Sequence, residues 1–219
     1  MGHAASPDAR CGRRGLYQGS SMIGMVDYGV GNVGSLGNAL RHLELPFVLS
    51  ADHDELNRCE NLILPGVGAF GPAMERLRSC RLDGFLLEWA ASGKPLLGIC
   101  LGLQLLLSAS REHGKHTGLG LIPGQVRKIR GAPREVHMGW NKVIPRHDNH
   151  LVPRPGYAYF VHSYHCVPDD PTVVIADTSY GGPLAAAIRK DNVLGVQFHP
   201  EKSQEYGLDI LRRFANGKF

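Results

Sequence analysis

Several features that would place this chain in a membrane, a secreted fold or a nucleic-acid complex are missing from its sequence. The longest apolar run, residues 95–107, is shorter than the about 20 residues that a helical membrane span needs. The five cysteines form no CxxC pair, which disfavours a zinc knuckle or a disulfide framework and makes a reducing cytoplasm the default setting. No long basic run with interleaved aromatic residues occurs, so no nucleic-acid partner is expected.

The first 21 residues also lack any apolar periodicity. They are rich in Gly, Ser and Arg, and they contain no apolar segment of the kind that a secretory signal needs. We therefore predict a disordered leader over residues 1–21 and one folded domain over residues 22–219. With 219 residues, of which 43% are hydrophobic and 20% charged, the chain is long enough for one domain with a sizeable core.

The first half of the domain alternates short apolar segments with segments of helical periodicity. Strands are predicted in MIGMVDYG, PFVLS, NLILPG and KPLLGIC, and the third is nearly all apolar, which is typical of a strand covered on both faces. Helices are predicted between them, including a long helical region that breaks near Asp83-Gly84. Another helix is predicted over LGLQLLLSAS. This alternation predicts an α/β fold with a doubly wound, mostly parallel sheet.

The second half contains closely spaced strand candidates instead. They are separated by turn signals such as Gly181-Gly182 and Asp191-Asn192, and a helix is predicted after them over residues 206–216. The pattern predicts an antiparallel extension of the sheet. The candidate strands are QVRKI, WNKVI, YAYFVHSYHCV, TVVIADTSY, LAAAIRKD and VLGVQFH.

A glycine pattern after the first predicted strand matches the dinucleotide-binding fingerprint. GVGNVG, at residues 29–34, opens a predicted helix, and Asp52 and Asp54 follow about 20 residues later. The same spacing recurs in GVGAFG at residues 66–71, and no second half that would bind and reduce a substrate is visible. Tight turns between strands and helices therefore explain these glycines better than a nucleotide site does.

Cys100 lies in the sequence Gly-x-Cys-x-Gly, between a predicted strand and a predicted helix. This is the thiol counterpart of the nucleophile elbow, in which flanking glycines relieve clashes at a strained backbone position. The turn would present the sulfur at the carboxyl end of the sheet, where unpaired amides and the helix dipole favour a thiolate. A buried core cysteine is the alternative interpretation unless a base lies nearby.

A base is available in GVQFHPEKS. His199 and Glu201 are two residues apart beside a predicted strand end, and side chains at this spacing on an extended segment face the same way. Glu201 can then accept a hydrogen bond from one imidazole nitrogen while the other nitrogen faces the thiol. Together with Cys100, this is the Cys–His–acid arrangement of acyl transfer.

GICLGLQ and HPE together resemble the glutamine amidotransferases that use a Cys-His-Glu triad. PGVGAFG, HMGWN, YFVHSY and GVQFHPEKS further resemble the glutaminase subunits of imidazole glycerol phosphate synthase, an enzyme of histidine biosynthesis. The resemblance extends from Met22 to the C-terminus. It implies that L-glutamine is the substrate and that glutamate and ammonia are released through a cysteinyl thioester.

The resemblance also implies roles for individual residues. Cys100 would attack the side-chain amide, His199 would carry the thiol proton to the leaving ammonia, and Glu201 would hold the imidazole. The oxyanion would be bound by the N–H of Leu101 and by the loop Gly66-Val67-Gly68, whose glycines would let the Val67 peptide turn. The residues implied to hold glutamine are Gly68, Gln104, Glu112, Ser163 and Tyr164. From the residues alone, Gln104 can equally be a solvated or capping residue, and Ser163 and Tyr164 can belong to an ordinary strand.

By the same resemblance, the ammonia would pass to a separate cyclase subunit with a (β/α)8 barrel, bound as a heterodimer. That partner would make imidazole glycerol phosphate and aminoimidazole carboxamide ribonucleotide. The candidates for the interface or its signal are Asn32, Met138, Trp140, Tyr159 and Lys202. Trp140 is either an exposed anchor for the partner or a core residue.

Other functions stay open at this point. The histidine pairs in HGKH and HDNH lie in polar, loop-like segments, so we expect solvated loops there and neither a metal nor a cofactor. The chain can be another amidotransferase subunit, serving aminobenzoate, anthranilate or pyridoxal phosphate synthesis. It can also be an inactive amidotransferase-like binding module, or the nucleotide-binding protein that the glycine pattern suggests.

Overall fold

A nine-stranded sheet forms the centre of the protein in the computed structural model, which describes residues 22–132 and 134–219. The leader predicted for residues 1–21 lies outside the described residues. The strands of the larger sheet are β1 (Ile23–Val26), β2 (Phe47–Ser50), β3 (Asn61–Leu64), β4 (Leu96–Ile99), β8 (His137–Pro145), β9 (Gly156–His162), β11 (Val174–Ser179), β12 (Pro183–Lys190) and β13 (Val193–Val196).

The order of the larger sheet is β2-β1-β3-β4-β13-β12-β11-β8-β9. The first five strands in this order pair in parallel, and the remaining pairs are antiparallel. The predicted α/β sheet with an antiparallel extension is therefore confirmed. One assignment within it is wrong, because VLGVQFH contributes β13, which pairs in parallel with β4 and belongs to the parallel half.

A smaller, four-stranded sheet contains residues that the sequence assigns to other elements. Its strands are β5 (Leu107–Ser110), β6 (His116–Thr117), β7 (Ile122–Lys128) and β10 (Tyr164–Pro168), in the order β10-β7-β5-β6. The predicted helix over LGLQLLLSAS is wrong in its second half, which forms β5. YAYFVHSYHCV is not one strand, because it breaks at Ser163 and continues in the other sheet.

Six α-helices lie within the described residues: α1 (Val33–His42), α2 (His53–Asn57), α3 (Phe70–Ser79), α4 (Leu82–Ala91), α5 (Leu101–Leu105) and α6 (Gln204–Ala215). The break in the long helical region falls at Arg81, whose φ of 58° is left-handed, and Asp83-Gly84 lies inside α4. No described helix is long and apolar enough to cross a membrane.

The sheet is covered on both faces by separate hydrophobic clusters. Leu62 and Leu64 of β3 pack with α3 and α4 on one face, while Ile63 packs with α1 and α6 on the other. All four residues of β3 are buried, as the apolar NLIL segment predicts.

Candidate active site

Three adjacent parallel strands, β3, β4 and β13, end at the same edge of the larger sheet. The loop 65–68 follows β3, Cys100 follows β4, and His199 follows β13. The backbone N–H of Cys100 donates to the carbonyl of Val196 at 2.8 Å, so the chain continues the β4–β13 pairing up to the cysteine. Ligands of open α/β sheets bind at this carboxyl edge.

Cys100 lies on a strained turn between β4 and α5. Its φ of 55° and ψ of −108° are unusual for a residue with a Cβ. A Cβ on Gly98 would lie 2.6 Å from the backbone nitrogen of Leu103, and a Cβ on Gly102 would collide with the carbonyl oxygen of Leu64. Only glycine fits on either side of this cysteine, as the elbow pattern predicts. The N–H of Leu101, in the first helical turn, has no acceptor within α5.

His199 and Glu201 form a buried pair. Nδ1 of His199 and Oε1 of Glu201 are 2.8 Å apart, and the two side chains are only 3% and 2% exposed. The expected extended geometry is wrong here, because Pro200–Lys202 is a 3-10 turn, and it is this turn that brings the carboxylate under the ring. Asn32, predicted at the interface, donates from Nδ2 to the same Oε1 at 3.4 Å.

The environment of His199 favours its protonated form. Burial acts to lower the pKa of the imidazole, but Cys100 and then Glu201 outweigh it, so the pKa is raised above its usual value. Nε2 nevertheless makes no hydrogen bond of good geometry among the described residues. The sulfur of Cys100 therefore lies near the ring without a well-formed hydrogen bond to it, and catalytic hydrogen bonds of this kind tighten when substrate binds.

A cavity of about 300 Å³ opens onto Cys100 and His199. It contains most of the residues that the resemblance assigns to the oxyanion and to glutamine, namely Val67, Gly68, Leu101, Gln104, Glu112, Ser163 and Tyr164. Gly66 does not line it, since a Cβ there would lie 2.7 Å from the nitrogen of Gly102, so this glycine packs beneath the elbow. Gly68 has a φ of 95°, which is open to glycine and rare for other residues.

The polar side chains of the cavity are held by named partners. Gln104 donates from Nε2 to the carbonyl of Tyr164 at 2.9 Å and to Oε1 of Gln197 at 3.2 Å. Glu112 accepts a hydrogen bond of 2.7 Å from the N–H of Phe70. Ser163 lies where the chain passes from β9 to β10, so it belongs to neither strand. The plain interpretations of Gln104 as solvated and of Ser163 as strand are wrong.

Two residues outside the predicted site, Gln197 and Ser203, contact the triad. Gln197 is fully buried, and its Nε2 lies 3.8 Å from Sγ of Cys100. Ser203 donates to the carbonyl of His199 at 2.6 Å and accepts from the N–H of Tyr159 at 2.9 Å. A polar residue inside the apolar run Val196–Phe198 is the signal that marks Gln197 in the sequence.

Of the remaining interface candidates, Met138, Trp140 and Tyr159 lie on β8 and β9, and Lys202 lies on the 3-10 turn next to them. Met138 is 65% exposed and Trp140 is 50% exposed, so the core interpretation of Trp140 is wrong. Trp140 pairs across the strands with Tyr159, with ring centroids 6.2 Å apart. Nζ of Lys202 lies 5.9 Å from the centre of the Tyr159 ring. These side chains form an apolar surface beside the turn that carries Glu201.

The residues of the dinucleotide pattern have other tasks. The side chain of Asp52 caps α2 by accepting from the N–H of Glu55, and Asp27 accepts from the N–H of Gly29. Within residues 22–132 and 134–219, no group of three or more His, Cys, Asp or Glu side chains is placed to hold a metal ion.

Comparison with known proteins identifies the family. The family model Glutamine amidotransferase class-I matches residues 24–216. Imidazole glycerol phosphate synthase subunit HisH of Geobacillus sp. (strain WCH70) is 46% identical over 203 residues, covering 89% of this chain and 96% of that protein. The subunit of the same name from Methanothermobacter thermautotrophicus is 48% identical over 196 residues, covering 89% and 98%.

Solved structures share the fold. PurLQS from Thermotoga maritima has a TM-score of 0.71 at 19% identity, covering 90% of this chain and 99% of that chain. The glutaminase domain of Trypanosoma brucei CTPS with bound acivicin has a TM-score of 0.60 at 16% identity, covering 91% and 95%. The chain belongs to the class-I glutamine amidotransferases and, within them, to the imidazole glycerol phosphate synthase subunits HisH.

Proposed function

We propose that this enzyme hydrolyses L-glutamine at Cys100 and supplies the ammonia to a cyclase subunit. The thiolate of Cys100 attacks the side-chain amide carbon, and the resulting oxyanion is held by the N–H of Leu101 and by the loop of Val67. His199 delivers the proton that releases ammonia and leaves a glutamyl thioester. Water, activated by the same imidazole, then cleaves the thioester to glutamate and restores the thiol.

The observation that carries this proposal is the position of the triad within one cavity. The sulfur of Cys100 and the imidazole of His199 face the same space of about 300 Å³, and Glu201 holds the far side of the ring at 2.8 Å. The carboxylate of Glu112 lies in the same cavity, where it suits the amino group of a free amino acid. An inactive binding module has no need of a strained cysteine beside an oriented histidine.

For the partner, we propose a (β/α)8-barrel cyclase subunit in a heterodimer, docked on the face that carries Met138, Trp140 and Tyr159. The exposed apolar area at this face is of the type that protein partners cover. Lys202 follows Glu201 directly in the same turn. A partner that contacts Lys202 can therefore change the position of Glu201 in the triad. The product of that partner would be imidazole glycerol phosphate, together with aminoimidazole carboxamide ribonucleotide.

The other amidotransferase activities fit less well. The relatives at 42–48% identity carry the name imidazole glycerol phosphate synthase subunit HisH, which favours that synthase over aminobenzoate, anthranilate or pyridoxal phosphate synthesis. We place the reaction in the cytoplasm, because the four cysteines within the described residues are all unpaired thiols.

Alkylation of the cysteines tests the proposed binding of glutamine. Iodoacetamide modification is followed at each cysteine by mass spectrometry, with and without glutamine. We expect glutamine to slow the modification of Cys100 but not of Cys80, an exposed free thiol at the C-terminal end of α3 that lies outside the cavity and serves as the internal control. Equal rates at Cys100 with and without glutamine would contradict the proposal.

A further inference from the structure

A second cavity, of about 740 Å³, lies beside β10 and shares Tyr164 with the first. Its floor is formed by two cross-strand pairs of β7 and β10, Arg127 with His165 and Gln125 with Val167. Side chains paired across antiparallel strands project from the same face, so these four point into the cavity together. The hairpin tip between β11 and β12, at residues 181–184, forms the opposite wall.

The side chains around this cavity carry positive charge that the protein does not neutralise. The guanidinium groups of Arg111, Arg127 and Arg130 make no ion pair or hydrogen bond within the described part of the chain. Lys128 is paired with Glu135 at 2.8 Å. No Asp or Glu side chain is among the described residues that line the cavity. Three unpaired cations facing one concave space repel each other, and an anion placed between them relieves that repulsion.

We propose that this cavity binds a small phosphorylated metabolite that carries at least two negative charges. Arginine matches phosphate with two parallel hydrogen bonds, and several arginines around one site favour a multiply charged group. The volume is within the range of about 300–1,000 Å³ that is usual for small-molecule sites. Val167, Pro183 and Leu184 provide apolar wall for the organic part of the ligand.

His165 lies in the same floor, paired across the strands with Arg127. The pKa of its imidazole is lowered by burial in the first place and also by the positive charge of Arg127, which no carboxylate among the described residues lining the cavity offsets.

The ligand would also act on the neighbouring glutamine site. Tyr164 lines both cavities. Its carbonyl oxygen accepts hydrogen bonds from Nε2 of Gln104 at 2.9 Å and from Nδ1 of His162 at 2.8 Å. A shift of β10 would therefore change the position of both side chains. This coupling rests on the proposed function, whereas binding in the second cavity does not depend on it.

Calorimetric titration of the full chain with inorganic pyrophosphate and with ADP tests the binding. We expect a dissociation constant below about 1 mM for at least one probe. Arg127→Gln should weaken it at least about tenfold, because a charge-assisted hydrogen bond to phosphate is lost. Arg58→Gln is the control, since Arg58 is an exposed arginine beside α2 with the same charge and lies outside the cavity.

The outcomes distinguish a specific anion site in the cavity from non-specific attraction of anions to positive charge. Stronger binding of ADP than of pyrophosphate indicates that the apolar wall is used, and equal binding indicates recognition of the phosphates alone; both support the proposal. Absence of binding by both probes, or equal weakening by Arg127→Gln and Arg58→Gln, would overturn it. Arg111→Gln, checked by thermal unfolding, replaces Arg127→Gln if that variant does not fold. A change in the KM for glutamine on adding the tighter probe tests the coupling separately from the binding.

Discussion

Nδ1 of His137 and Nε2 of His162 are joined by a buried hydrogen bond of 3.0 Å. Nδ1 of His162 faces the carbonyl of Tyr164 and must donate to it, so its Nε2 accepts from His137. Nε2 of His137 then accepts from the amide of Asn141 at 3.0 Å. Each ring therefore carries one proton and is neutral. This series of hydrogen bonds connects β8, which carries Trp140, to Tyr164 at the start of β10.

Acid should therefore destabilise this protein through the histidine pair. Burial lowers the pKa of His137 to about 4 and that of His162 to about 3, from an ordinary value of 6.5. At a pH between the folded-state pKa values and 6.5, the unfolded state binds more protons than the folded state does. The free energy of unfolding therefore falls as the pH falls through this range. We expect the decline to begin near pH 6.5 and to continue to pH 4, measured by urea denaturation.

The variant His137→Gln identifies the source of that decline. It removes one of the two buried imidazoles, so the dependence on pH between 6.5 and 4 should become shallower than in the wild type. His150→Gln, at an exposed histidine, should leave the dependence unchanged. Identical slopes for His137→Gln and the wild type would show that other groups cause the acid sensitivity.

Gly98→Ala should abolish the elbow. The new methyl group would meet backbone atoms of Gly102 and Leu103 at 2.6–2.7 Å, and backbone cannot move aside as a flexible side chain can. We expect a loss of about 3 kcal/mol in the free energy of unfolding and no measurable glutaminase activity.

Gly84→Ala is the matched control for that variant. Gly84 lies inside α4 with nothing within 4 Å of an added Cβ, so the substitution should stabilise the helix by about 0.5–1 kcal/mol. Activity should be that of the wild type. Wild-type stability in Gly98→Ala would mean that the elbow tolerates a side chain, against the close approach seen here.

Gln197→Leu should lower the rate of a protein that still folds. The side-chain amide donates to Sγ of Cys100 at 3.8 Å and accepts from Gln104, so its loss leaves the sulfur less stabilised as a thiolate. We expect kcat to fall about tenfold while the free energy of unfolding falls by about 1–3 kcal/mol, because one buried N–H of Gln104 loses its acceptor although leucine has a similar volume. A loss of stability large enough to explain the loss of rate would assign Gln197 a structural role only.

Trp140→Ala should weaken the complex with the cyclase subunit. A half-exposed tryptophan at the centre of an apolar face is typical of an interface anchor, whose truncation costs at least about tenfold in affinity. The isolated chain should unfold as the wild type does. Leu87→Ala, at another exposed apolar residue on α4, should leave the affinity unchanged. Equal affinities for Trp140→Ala and the wild type would place the partner elsewhere.

The sequence predicted the parts of this fold that depend on local pattern. The apolar strands, the glycines around Cys100 and the HPE segment each indicate their own role within a few residues. The parallel pairing of β13 with β4 is a long-range relationship, and the residues of VLGVQFH fit either direction of pairing equally well. The break at Ser163 is of the same kind, because a strand that leaves one sheet for another keeps its alternating pattern.

In the active site, too, the sequence predicted the residues with recognisable chemistry and not those whose roles depend on tertiary contacts. Cys100, His199 and Glu201 carry recognisable chemistry, but Ser203 and His162 are common residues whose tasks arise only from tertiary contacts. The second cavity gave no sequence signal, because Arg111, Arg127 and Arg130 come together only when β5 and β7 pair in the smaller sheet.

Release of glutamate from glutamine tests the central claim most directly. It is measured for the purified chain alone and with the cyclase subunit and its nucleotide ligand, with Cys100→Ser as the control. We expect weak release by the chain alone, strong release in the complex and none from the variant. Absence of release in a verified complex, or undiminished release by Cys100→Ser, would contradict the account.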